Sequence, residues 1–159
     1  MYIVDKVYIM YYLSFKEQDM LAINATKVRN EWSSVVESVI REKPAFIKKT
    51  RDYLFLSDMD ILEKILSAYS YHARILPEDD GTVTLSLDEI GLTENALDLS
   101  GAISALAGAI LEYSEDFYKE FAYWSRGSGK SHIPYVLKAL MLNDIKKIGD
   151  LIECRHGKT

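Results

Sequence analysis

Seven basic side chains, Lys27, Arg29, Arg41, Lys43, Lys48, Lys49 and Arg51, fall between Leu21 and Arg51. Three glutamates share the stretch, a local balance of +4 in a 159-residue chain of net charge −5. Cations at this density suit phosphate, since each phosphate neutralised releases counterions. In an ordinary soluble domain they would be a solvated surface. Here Lys27 and Arg29 stand at a helix start, whose free amides and dipole also draw anions, and this favours the phosphate reading. Arg29 is the candidate reader, because its fork fits guanine or phosphate in two contacts. Lys48 and Lys49 are candidate phosphate anchors, and only one of them is expected on the nucleic-acid side because neighbouring strand residues face opposite ways. Arg51, in a turn, is free to adapt.

Residue sets that resemble catalytic chemistry fail on spacing. Gly127-Ser128-Gly129-Lys130-Ser131 looks like the end of a phosphate-binding loop. The full motif needs glycine where Trp124 stands and a preceding strand, and what precedes it reads as helix. A flexible connection between helices is the better reading. Cys154 and His156 lie two apart, with His72 and His132 distant in sequence, so neither a zinc site nor a Cys-His nucleophile is supported. Cys154 is expected on a terminal helix with a free thiol. Glu78-Asp79-Asp80-Gly81 reads as turn chemistry and Glu115-Asp116 as a wet helix face. No catalytic residue, metal or cofactor is expected.

Charge divides the chain. Ser70 to Ser125 carries eleven acids against Arg74 and Lys119, a balance of −9, and Arg126 to Thr159 is basic again with seven cations against three acids. That alternation points to two functional halves. One cysteine excludes an internal disulfide and fits a reducing cytoplasm. Val7 to Phe15 is too short to span a bilayer, and Asp5 with the missing cleavage site argues against a signal peptide. Residues 1–19 are read either as a start-site artefact, with translation beginning at Met20, or as an edge strand.

The elements around the basic cluster follow from periodicity. A short apolar run, Leu21-Ala22-Ile23, stops at Asn24-Ala25-Thr26. Thr26 is the expected N-cap of one helix carrying Val28, Trp32, Val35, Val36, Val39 and Ile40 at helical spacing and ending near Pro44. Ala45 to Lys49 and Tyr53 to Ser57 read as a hairpin around Thr50-Arg51-Asp52. Ser57-Asp58 then caps a second amphipathic helix through Met59, Leu62, Ile65 and Leu66.

The order strand, helix, hairpin, helix, with INAT-KVR at the first helix and FIKK…YLFLS across the hairpin, resembles the N-terminal domain of Phd/YefM-type (prevent-host-death) antitoxins. Lys27 stands where that family carries an acid, and the turn lacks an Asn-Gly pair. The resemblance implies an α+β chain whose residues 20–69 form a β-α-β-β-α domain for dimerisation and DNA binding. The implied DNA-binding residues are Asn24, Thr26, Lys27, Arg29, Lys48, Lys49 and Arg51. A unit this small is marginal alone and is expected to pair with a second copy, with Trp32, Phe46 and Phe55 exposed on its flanks.

Residues 70–159 change character without a linker. Tyr71 to Leu76 and Thr82 to Leu87 read as a second hairpin around Pro77 to Gly81. Asn95 to Ser100 leads into a long helix with an apolar stripe from Ile103 to Phe121, and His132 to Ile152 suits two short helices broken near Asn143-Asp144. The hairpin-plus-helix order is similar to HicB-like antitoxin modules, without a clear copy of their central strand. Tyr113, Phe117, Tyr118, Phe121 and Trp124 are candidate partner-binding residues, although buried aromatics also dominate small cores.

The two resemblances together imply an antitoxin of a type II toxin-antitoxin system. It would repress its own promoter as a homodimer and block a cognate toxin, an RNase, through its C-terminal half. An orphan dimeric regulator or interaction module stays open as the alternative.

Overall fold

In a computed structural model the described residues run from 21 to 156. Both expectations for residues 1–19 lie outside them. The chain divides into two compact units, through Leu62 and from Glu63.

The first unit runs β1 (Ala22–Asn24), α1 (Ala25–Asn30), α2 (Trp32–Arg41), β2 (Ala45–Lys49) and β3 (Asp52–Leu56), with α3 (Met59–Leu66) crossing the division. Its sheet has the order β1-β2-β3, with β1 parallel and β3 antiparallel to β2. The single helix expected from Thr26 is in fact two. Asn30 is a weak helix former, and at Glu31 the backbone departs to φ −116°, ψ 28° before its carbonyl accepts from the Val35 N–H and restarts the spiral. The cap is Asn24 rather than Thr26: its Oδ1 accepts the Thr26 N–H at 2.8 Å. Among the described residues, Val28, Val35 and Val39 form this unit's buried core with Ala45 and Ile47.

The first hairpin is tighter than expected. Lys49 pairs with Asp52, so only Thr50 and Arg51 turn and Asp52 belongs to the ladder. Thr50 takes φ 57°, a left-handed conformation rare for a β-branched residue. Asp58 caps α3 by accepting the Ile61 N–H at 2.9 Å.

The second unit continues with β4 (Tyr71–Pro77), β5 (Val83–Leu87), β6 (Leu92–Ala96), α4 (Leu99–Lys119), α5 (Phe121–Trp124), a 3-10 helix (Gly127–His132), α6 (Ile133–Leu142), α7 (Ile145–Asp150) and β7 (Ile152–His156). Its sheet order is β6-β5-β4-β7, antiparallel except where β7 lies parallel to β4. Two expectations are corrected here. Leu92 to Ala96 is an edge strand, unread because Thr93, Glu94 and Asn95 give it little apolar signal. Cys154 lies in β7, not on a terminal helix, because its segment pairs with β4 some 80 residues earlier, Ala73 opposite Cys154.

The connection through Gly127 to Lys130 is a 3-10 turn rather than a loose loop. Asp98 caps α4 by accepting the Gly101 N–H at 2.7 Å, and Asn143 ends α6 in the left-handed region. Tyr71, Ala73, Leu85, Leu87 and Ile152 of the sheet bury against Leu106, Ala107 and Ile110 of α4, Ala139 of α6 and Ile148 of α7.

Candidate functional site

The parallel pairing of β1 with β2 sets Asn24 beside Lys48, and α1 starts directly at the end of β1. That geometry opens a cleft of about 480 Å³ lined by Asn24, Ala25, Thr26, Arg29, Lys48, Lys49 and Thr50. Five of the seven sequence-derived DNA-binding residues therefore converge on one concavity. Lys48 and Lys49 line it together, against the expectation that strand alternation would separate them. Lys49 is the last strand residue, and the left-handed Thr50 turns the chain there.

Lys27 lines a neighbouring groove with Glu31, Lys43 and Phe46, and Arg51 stands exposed in the hairpin turn, outside the cleft. Lys48 Nζ sits 5.7 Å from the Tyr53 ring centroid, which restrains its direction. Asp52 faces Lys49 across the ladder. Among the described residues, Arg29 and Lys49 form no ion pair, so their charge is offered to solvent. A six-residue α1 contributes little through its dipole, and the cleft's positive character comes from side chains. Sequence reading missed Ala25 and Thr50 as lining residues. The tight turn at Thr50 was the available signal.

On the face of the sheet that also carries Lys48, Phe46 and Phe55 pack at 5.2 Å between centroids, yet 38% and 47% of their surface stays exposed, as does 44% of Tyr53.

In the second unit the five candidate partner-binding rings separate by burial. Phe117 is enclosed, with Tyr113 at 6.0 Å, Phe121 at 5.6 Å and Trp124 at 6.4 Å between centroids. Tyr113 and Phe121 are half-buried. Burial raises the Tyr113 phenol above its ordinary value, and its hydroxyl lies 2.6 Å from His132 Nδ1. Tyr118 and Trp124 are exposed, and so is Tyr123, a ring outside the candidate set.

No cluster of His, Cys, Asp and Glu among the described residues is arranged to hold a metal, and no helix among them is long and apolar enough to cross a membrane. Burial raises the Cys154 thiol, which works against thiolate chemistry.

The chain thus comprises two small α+β units, the first of which carries a basic cleft. Residues 20–154 match the family PHD-like, described as antitoxin of toxin-antitoxin, RelE / RelB, TA system, and the chain belongs to this antitoxin family. A crystal structure from Syntrophomonas wolfei subsp. wolfei, described as the antitoxin part of a proposed toxin/antitoxin system, is similar with a TM-score of 0.82. The two chains are 30% identical, over 87% of this chain and 100% of that one. No curated protein matches the chain.

Proposed function

We propose that this antitoxin is a Phd/YefM-type autorepressor. It binds its own promoter DNA as a homodimer through the first unit and neutralises a cognate RNase toxin in the cytoplasm through the second, HicB-like one. The observation that carries the DNA reading is the convergence of Arg29, Lys48 and Lys49 with the Asn24 and Thr26 side chains on one cleft. Cations within one concavity can engage successive phosphates, with Lys27 and Arg51 as flanking contacts.

Dimerisation is supported by the first unit's economy. Among the described residues the first unit's core buries five side chains, and the exposed Phe46, Tyr53 and Phe55 offer apolar surface that a second copy would remove from water. Toxin binding is assigned to the exposed rings of Tyr118 and Trp124 with half-buried Phe121, while Tyr113 and Phe117 hold them in place.

The test is a gel shift of the full chain on its own upstream DNA at several salt concentrations. Specific binding with a steep salt slope is expected, and its absence would sink the repressor reading. Co-expression with the protein of the adjoining gene tests neutralisation. If toxicity persists, the orphan-regulator reading stands instead.

A further inference from the structure

Beside the basic cleft lies a second concavity of different character. Ala25, Val28, Arg29, Trp32, Ile47 and Leu54 line a pocket of about 370 Å³ whose walls are almost wholly apolar. Trp32 is 54% and Leu54 56% exposed at its mouth. Ala25 and Arg29 belong to both concavities, so the apolar pocket is continuous with the surface that would meet phosphate.

We infer that this pocket reads thymine: the C5 methyl group of a thymine in duplex DNA enters between Trp32 and Leu54 while Arg29, on the shared wall, engages the neighbouring guanine or phosphate. This rests on the DNA-binding reading above and adds a source of sequence preference to it. Phosphate contacts position a protein without specifying bases, whereas in the major groove the thymine methyl is the one apolar mark, and an apolar side chain is what recognises it. An exposed indole and an exposed leucine next to a cation-lined cleft supply that complement. Arginine on the boundary suits both neighbours, since its guanidinium takes guanine O6 and N7, or phosphate oxygens, in two contacts.

The occupant follows from continuity and charge. Because Ala25 and Arg29 line both concavities, nucleic acid held at the basic cleft by Arg29 lies against the edge of the apolar pocket. A second copy of the chain packed on the pocket is the competing occupant, and the oligomeric state of Trp32→Ala distinguishes it.

The experiment uses the full chain and two duplexes of its own upstream sequence, one natural and one with every thymine replaced by uracil. The replacement removes methyl groups and keeps every hydrogen-bonding atom. Wild type should bind the uracil duplex at least about threefold more weakly, the scale of one buried methyl group or more. Trp32→Ala and Leu54→Ala should bind both duplexes alike while keeping the salt slope, and Trp32→Phe should retain part of the preference. Equal binding of the two duplexes by wild type overturns the inference and leaves the repressor reading intact. Discrimination that survives Trp32→Ala overturns it too, since DNA shape would then carry the preference. A Trp32→Ala chain that turns from dimer to monomer places the pocket in a subunit seam and ends the proposal. Failure of wild type to bind either duplex removes both readings.

Discussion

Lys138 donates its Nζ to the backbone carbonyl of Tyr69 at 2.5 Å and stands 5.9 Å from the centroid of the Tyr71 ring. Only 8% of this lysine is exposed, and burial lowers its ammonium below the ordinary lysine value. No carboxylate lies within ion-pair distance of it among the described residues. The unfolded chain therefore holds this proton more tightly than the folded one. Stability from this group accordingly rises as pH climbs towards the ordinary lysine range. Lys138→Met removes the dependence. At pH 7 the variant should lie within about 1 kcal/mol of wild type, because losing a buried charge offsets losing the hydrogen bond. By pH 9.5 the comparison should shift in favour of wild type. Urea midpoints at the two pH values measure this, and an identical shift in both proteins would refute it.

Arg29→Ala and Lys49→Ala should each lower the slope of log affinity against log salt by about 0.9, the effect of one phosphate contact on duplex DNA. Arg51→Ala, outside the cleft, should change the slope by less. Fluorescence anisotropy at five salt concentrations distinguishes them, and equal slopes for all three would disperse the assigned site.

Thr50→Gly should stabilise the first unit. A β-branched residue at φ 57° carries a left-handed penalty of roughly 1–2 kcal/mol, and glycine's greater unfolded-state freedom returns part of it, leaving a gain of about 0.5–1 kcal/mol. Thr50→Asn should gain on the same ground. Thermal unfolding followed by circular dichroism is the check, and a loss of stability in both variants would contradict the hairpin geometry.

Gly129→Ala should damage the second unit. A Cβ at that position would stand 2.0 Å from the Trp124 carbonyl oxygen, so backbone must move. The expected cost is about 1–3 kcal/mol, with a change in Trp124 emission as the 3-10 segment shifts off Phe117. Gly108→Ala, in the middle of α4 with open space around it, should be neutral or stabilising by up to about 1 kcal/mol. Similar behaviour of the two variants would show that the tight approach is absent in solution.

Most of the first unit could be read directly because its signals are local. The hairpin partners Ala45 to Lys49 and Asp52 to Leu56 adjoin in sequence, and the Asp58 cap acts over three residues. The helix break at Glu31 escaped because one moderately poor residue, Asn30, scarcely disturbs an apolar stripe that continues through it. In the second unit β4 and β5 were visible as an alternating hairpin. Thr93, Glu94 and Asn95 hid β6, since an edge strand with one wet face needs few apolar residues. Cys154 was misplaced because its strand exists only through a parallel partner distant in the chain.

The sequence alone determined the basic content of residues 21–51, the acidic turn, the long α4 and the spacing that excluded a phosphate-binding loop. These depend on residue type and on periods of two or 3.6 residues. Tertiary structure decided which residues share a surface. Parallel pairing of β1 with β2 brought Asn24 to Lys48, Lys49 lines the same cleft, and Trp32 and Leu54, 22 positions apart, line one pocket. Such juxtapositions arise from long-range packing, which local propensity does not encode.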